Sequence, residues 1–95
     1  MRIRVIPIEP KFFADFKDGL NDEDAIKAFE YTATFLVIQY IEQLTDDDKW
    51  AITFPPCIDS KGRGILHDIG NYFALGHHST GTKKENRCLR MYPRS

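Results

Sequence analysis

The two residues with the clearest potential for chemistry are Arg63 and His67, which lie four positions apart in the segment SKGRGILHDIG, residues 60–70. Residues at i and i+4 share one face of an α-helix, so the guanidinium and the imidazole are expected side by side, one turn apart. Both groups can donate hydrogen bonds to phosphate oxygens, and arginine can do so with two parallel bonds. The pair therefore predicts an anion-binding surface on a helix.

The rest of this segment predicts how the helix is held. The helix is expected to run from about Lys61 to Ala74, with Asp59 or Ser60 as its N-cap and Gly76 as a left-handed residue that ends it. Its apolar residues fall on the side away from the Arg–His pair, and they are Ile65, Leu66, Ile69, Tyr72 and Phe73. An apolar back of this kind anchors a helix to a core and leaves the polar face accessible.

Three further motifs surround the pair: Phe54-Pro55-Pro56 before it, LGHHSTG at residues 75–81 after it, and RCLRM at residues 87–91 near the end. Together with Arg-x-x-x-His they resemble the R-3-H domain family over residues 50–93. The resemblance implies a module that binds single-stranded nucleic acid, RNA or DNA. It also favours His78 over His77 as a contact, because His78 occupies the histidine of the Gly-x-His-x-Ser pattern of the family.

The predicted interface gathers the donors and cations of this half of the chain around Arg63 and His67. Its members are Arg63, His67, Lys61, Asn71, His78, Ser79, Lys83, Lys84, Arg87 and Arg90. Such groups would hold backbone phosphates, which supply affinity and position rather than base choice. Structural alternatives stay open, because Arg63 could form a surface ion pair with Asp59 or Asp68 and His67 could be a structural histidine. Lys83 and Lys84 could equally be solvated loop charges.

The charge distribution also indicates that the second half of the chain is the binding region. Residues 1–48 carry five basic against eleven acidic side chains, a net charge of −6, whereas residues 49–95 carry eight against three, a net charge of +5. The net charge of −1 for all 95 residues therefore hides a basic region that contains the motif.

Other chemistries have weaker support. Serine, histidine and aspartate occur near one another in the sequence, but no nucleophile-elbow or oxyanion-hole motif accompanies them, so no enzyme activity and no catalytic residue is predicted. Two cysteines and three histidines lack zinc-ligand spacing, and the triplet 46–48 of aspartates is interpreted as a solvated loop, so neither a metal nor a cofactor is expected. No apolar run reaches about 18 residues, so no membrane span or membrane partner is expected.

The remaining elements complete the expected fold, which is α+β: a small three-stranded antiparallel sheet packed against two helices, with a short N-terminal extension. Residues 1–20 are assigned to this extension, containing a short edge strand and a core-filling cluster of Phe12, Phe13 and Phe16, and residues 21–95 to the domain. A helix capped by Asn21 is expected over 22–44, with strands over 50–54, 77–82 and 87–92.

Function follows as a hypothesis with one alternative. The chain is expected to be a non-catalytic module of a larger intracellular protein, nuclear or cytoplasmic, that binds single-stranded nucleic acid through backbone or terminal phosphates. The alternative is a protein-interaction module, in which the apolar helix 22–44 packs against a protein partner or a second copy. The apolar run from Phe35 to Ile38 supports this alternative, because it makes the helix apolar on more than one side.

Overall fold

A computed structural model describes residues 3–44, 49–81 and 87–94. Its elements, in chain order, are β1 (Arg4–Pro7), a 3-10 helix (Pro10–Phe16), α1 (Glu23–Gln43), β2 (Trp50–Thr53), α2 (Ser60–Tyr72), β3 (Leu75–Thr80) and β4 (Cys88–Pro93). The α+β class expected from the sequence is therefore correct.

In the described part of the chain the sheet has four strands in the order β1-β2-β4-β3 and there are three helices, so the prediction of a three-stranded antiparallel sheet packed against two helices is wrong. Strand β1 pairs in parallel with β2, whereas β4 is antiparallel to both β2 and β3. A parallel pair needs a long crossover, and the segment between β1 and β2, which contains α1, supplies it. Pro7 fits here because β1 is an edge strand, where a missing N–H breaks no ladder bond on the open side.

The N-terminal segment also contributes to the core rather than extending away from it. Ile8, Phe13 and Leu20 are buried in the same apolar cluster as the helices and the sheet. The Phe13 ring centroid lies 5.5 Å from that of Phe29 and 6.0 Å from that of Phe54. Core filling is thus confirmed for Phe13, while Phe12 of the same predicted cluster is exposed.

Helix α1 begins one residue later than the sequence predicts. Its N-cap is Asp22, whose carboxylate accepts a 2.8 Å hydrogen bond from the Ala25 N–H, and not Asn21. One side of the helix is buried through Phe29, Ala33 and Val37. Among the described residues, no helix is both long and apolar enough to cross a membrane.

Helix α2 carries the Arg–His pair and begins as predicted, because Asp59 caps it by accepting a 2.8 Å bond from the Gly62 N–H. It ends differently. The left-handed residue after the helix is Ala74, with φ of 57°, and Gly76 instead lies inside β3. A side chain at Gly76 would overlap the ring of Tyr92 on the neighbouring strand, so glycine is required there for close approach rather than for a turn.

Candidate functional site

Arg63, in the first turn of α2, is buried. Its side chain is only 6% exposed, and Nη1 donates a 2.8 Å hydrogen bond to the carbonyl oxygen of Ile58. Neither of the predicted surface ion pairs, with Asp59 or with Asp68, forms. Among the described residues, the salt bridges join Lys11 to Glu9 and Lys27 to Glu23. The guanidinium is therefore a buried positive charge without a carboxylate partner in the described part of the chain.

One helical turn further on, His67 belongs to a hydrogen-bonded chain that links α2 to β3. Its Nδ1 lies 2.6 Å from Nδ1 of His77, and Nε2 of His77 lies 2.8 Å from Oδ1 of Asn71. The two imidazole centroids are 4.8 Å apart. Gly70 makes room for this arrangement, since a Cβ at that position would lie 2.7 Å from Cδ2 of His77. The helix and the edge strand thus hold both imidazoles in place.

The environment of His67 favours its neutral form. Burial is the main cause that lowers the pKa of His67, and the nearby His77 and the positive charge of Arg63 lower it further, while Asp68 acts in the opposite direction. The influence of Arg63 shows that the two motif residues are electrostatic neighbours, as their spacing predicts.

The sheet divides the remaining predicted contacts between two surfaces. Successive strand residues face opposite sides, and Met91, which pairs with His77, is fully buried in the core beneath the helices. His77 and Ser79 therefore face the helix side, next to α2. His78 and its register partner Arg90 face the other side of the sheet. The structure thus places His78 and Arg90 away from Arg63 and His67.

Two of the other predicted cations belong to the described residues. Lys61 is exposed in the first turn of α2, and Arg87 is exposed just before β4. Lys83 and Lys84 lie outside the described residues, as does the aspartate triplet 46–48.

Sequence reasoning missed His77, which is the direct partner of His67, and missed the part that Gly70 plays. The signal was present in the alternation of β3: Leu75 is apolar, so the residue two positions later faces the same side of the strand. A glycine on the neighbouring helix then marks where a ring from that strand packs closely.

Within residues 3–44, 49–81 and 87–94, no group of three or more histidine, cysteine, aspartate or glutamate side chains is arranged to hold an ion. Both cysteines, exposed Cys57 and half-buried Cys88, are free thiols.

Comparison with known proteins adds no relative. The chain matches no family model, no curated protein and no solved structure. The resemblance to the R-3-H family consequently stays a prediction that depends on the motifs themselves.

Proposed function

We propose that this chain binds single-stranded nucleic acid through backbone phosphates at the surface where α2 meets the edge strand β3, acting as a non-catalytic module. This surface, called the α2–β3 edge below, comprises Arg63, His67, Asn71, His77 and Ser79.

The burial of Arg63 without a carboxylate partner carries the proposal. A buried charge that lacks an opposite charge is costly. The single hydrogen bond that Arg63 donates to the Ile58 carbonyl offsets this cost only in part. A phosphate at the surface above would supply the missing negative charge. Because the site is partly shielded from water, the guanidinium would act on such an anion more strongly than a solvated side chain does.

Accessible groups around this fixed charge would make most of the direct contacts. Arg87 is an exposed cation just before β4, and Ser79 adds a hydroxyl on the helix side of β3. If about four phosphates are neutralised on a single strand, log K falls with log salt at a slope of roughly −3. Affinity from so few contacts is expected to be weak and sensitive to salt.

Fluorescence anisotropy with short labelled single-stranded RNA and DNA at two salt concentrations tests the proposal. The wild-type protein should bind, and His67→Gln and Arg63→Gln should weaken binding. Lys17→Gln removes an exposed cation from the acidic half and should leave affinity unchanged. Because Arg63 is buried, circular dichroism must show that each variant is folded. If Arg63→Gln does not fold, His67→Gln still decides the test. Absence of wild-type binding at high micromolar concentration would refute the function.

Association through α1 is the second candidate function. Tyr31, Phe35 and Ile38 are 76%, 52% and 39% exposed, and their spacing places them on one stripe of the helix. Light scattering after size-exclusion chromatography would detect a dimer formed by this stripe. Phe35→Glu should then dissociate it, whereas Tyr72→Glu, at an exposed tyrosine on α2, should not.

A further inference from the structure

The side of the sheet that faces away from the helices carries a groove of about 470 Å³. Val5, Ala51 and Pro93 form part of its apolar lining. Val5 is 45% exposed although it is apolar, so the described chain leaves this part of the groove open, whereas Ala51 is buried in its floor. The volume falls within the range of roughly 300–1,000 Å³ that small-molecule sites occupy.

Two polar atoms without partners lie on this side of the sheet. The Nε–H of Arg90 and Oγ1 of Thr53 are both buried and neither makes a hydrogen bond, although the two residues are direct register partners on β4 and β2. Because both atoms are shielded from solvent, a ligand in the groove would reach Arg90 through the rest of its guanidinium rather than through Nε. Among the described residues that line the groove none is a carboxylate. The positive charge of Arg90, which lines the groove, therefore suits an anionic ligand.

An aromatic side chain stands beside this cation. Tyr92 lines the groove, and its ring lies against Gly76, which lacks the side chain that would displace it. The His78 and Tyr92 ring centroids are 5.5 Å apart in an edge-to-face arrangement, and His78 Nδ1 lies 3.4 Å from the tyrosine hydroxyl. Packing on both neighbours fixes the tyrosine ring. A fixed aromatic ring, an apolar floor and an arginine match a planar base with its adjoining phosphate.

We infer that this groove is a nucleotide subsite, in which one base of a bound single strand packs against Tyr92 and its phosphate contacts Arg90. The subsite depends on the function proposed above, because it takes its occupant from the same strand. The edge strand β3 joins the two surfaces: the adjacent His77 and His78 face opposite sides, so a strand that crosses β3 reaches both.

Strands with and without bases test the subsite directly. The probes are a labelled single-stranded decanucleotide and a strand of equal length made of abasic sites, which carry the same phosphates. Wild-type protein should bind the normal strand about five- to tenfold more tightly, as expected when one base stacks. Tyr92→Leu should remove this preference, and Arg90→Gln should reduce affinity for the normal strand. Tyr72→Leu is the matched control, because it removes an exposed tyrosine that lies outside the groove.

Methyl NMR of the wild-type protein gives a readout that needs no variant. The normal strand should shift the methyl resonances of Val5 and Ala51, and the abasic strand should not. Equal affinity for both strands, with the Val5 and Ala51 methyl resonances unmoved, would overturn the subsite and leave the proposed function intact. Shifts of the Val5 and Ala51 methyl resonances, with His67→Gln binding as tightly as wild type, would support the subsite and reject the α2–β3 edge as the phosphate-binding surface. Adenosine monophosphate that shifts these methyls as strongly as the strand would instead identify a free-nucleotide site and overturn the assignment to a strand.

Discussion

The Nδ1 atoms of His67 and His77 lie 2.6 Å apart, so one of these two nitrogens donates a hydrogen bond to the other. Asn71 Oδ1 is an acceptor, so Nε2 of His77 donates to it, and a neutral His77 must then accept at Nδ1. Nδ1 of His67 is consequently the donor in the pair. The remaining nitrogen of a neutral His67, Nε2, therefore carries a lone pair and cannot donate to a phosphate until it is protonated.

Phosphate binding at the α2–β3 edge should accordingly take up a proton at His67. The pKa of His67 is lowered in the free protein by burial and by its positively charged and histidine neighbours, and a bound phosphate would raise it. Affinity should rise as the pH falls from 8 to 6, and His67→Gln should flatten this dependence. The measurement is anisotropy across this range with strands that lack terminal phosphates, because a terminal phosphate itself titrates near pH 6. An affinity that is independent of pH in the folded wild-type protein would contradict proton uptake.

Stability without ligand should show the opposite pH dependence. Because the pKa of His67 in the folded state lies below the ordinary histidine value of about 6.5, the unfolded chain binds more protons, and the free energy of unfolding rises with pH. The contribution of His67 is fully present above pH 6.5 and is lost as the pH falls through the lowered pKa. Urea unfolding at pH 7.5 and 5.5 measures it, with His67→Gln as the reference that lacks the titrating group. A wild-type protein that loses no more stability than His67→Gln on acidification would exclude this linkage.

Local chemistry explains which parts of the fold were predictable. The cap at Asp59 and the anchoring of α2 through Leu66 and Ile69 depend on residues within a few positions, so the sequence shows them. The parallel pairing of β1 with β2 could not be predicted from Arg4–Pro7 alone, because it depends on how α1 returns the chain to the sheet.

The candidate site was predictable in the same limited sense. The spacing of Arg63 and His67 indicates a shared helix face, but the burial of Arg63 depends on its bond to the Ile58 carbonyl, which no motif encodes. Which of His77 and His78 faces the helix depends on strand register, and a shift of one residue would exchange them. The sequence therefore indicated α2 and β3 as the segments that meet, and dividing the residues of β3 between the two sides of the sheet required its true start at Leu75 rather than at His77.

Two glycines of α2 should respond in opposite ways to the same substitution. A Cβ at Gly70 would lie 2.7 Å from the His77 ring, so Gly70→Ala must displace that ring and strain its bond to His67. Overpacking of this kind costs about 1–3 kcal/mol. Gly64→Ala is the matched control, because nothing lies within 4 Å of its Cβ position and alanine favours a helix over glycine by about 0.5–1 kcal/mol. Urea unfolding should show destabilisation by the first change and stabilisation by the second, and equal effects would rule out the packing of His77 on Gly70.

The salt dependence of binding should identify which exposed cations contact phosphate. Arg87 is exposed just before β4, the strand that pairs with β3, so Arg87→Gln should reduce the magnitude of the slope of log K against log salt by roughly 0.7, the value for one phosphate on a single strand. Lys17→Gln removes the same charge from the acidic half of the chain and should leave the slope unchanged, although both variants alter the net charge equally. Anisotropy titrations at four salt concentrations measure the slopes. If the two variants changed the slope by the same amount, overall charge rather than contact at the α2–β3 edge would govern binding.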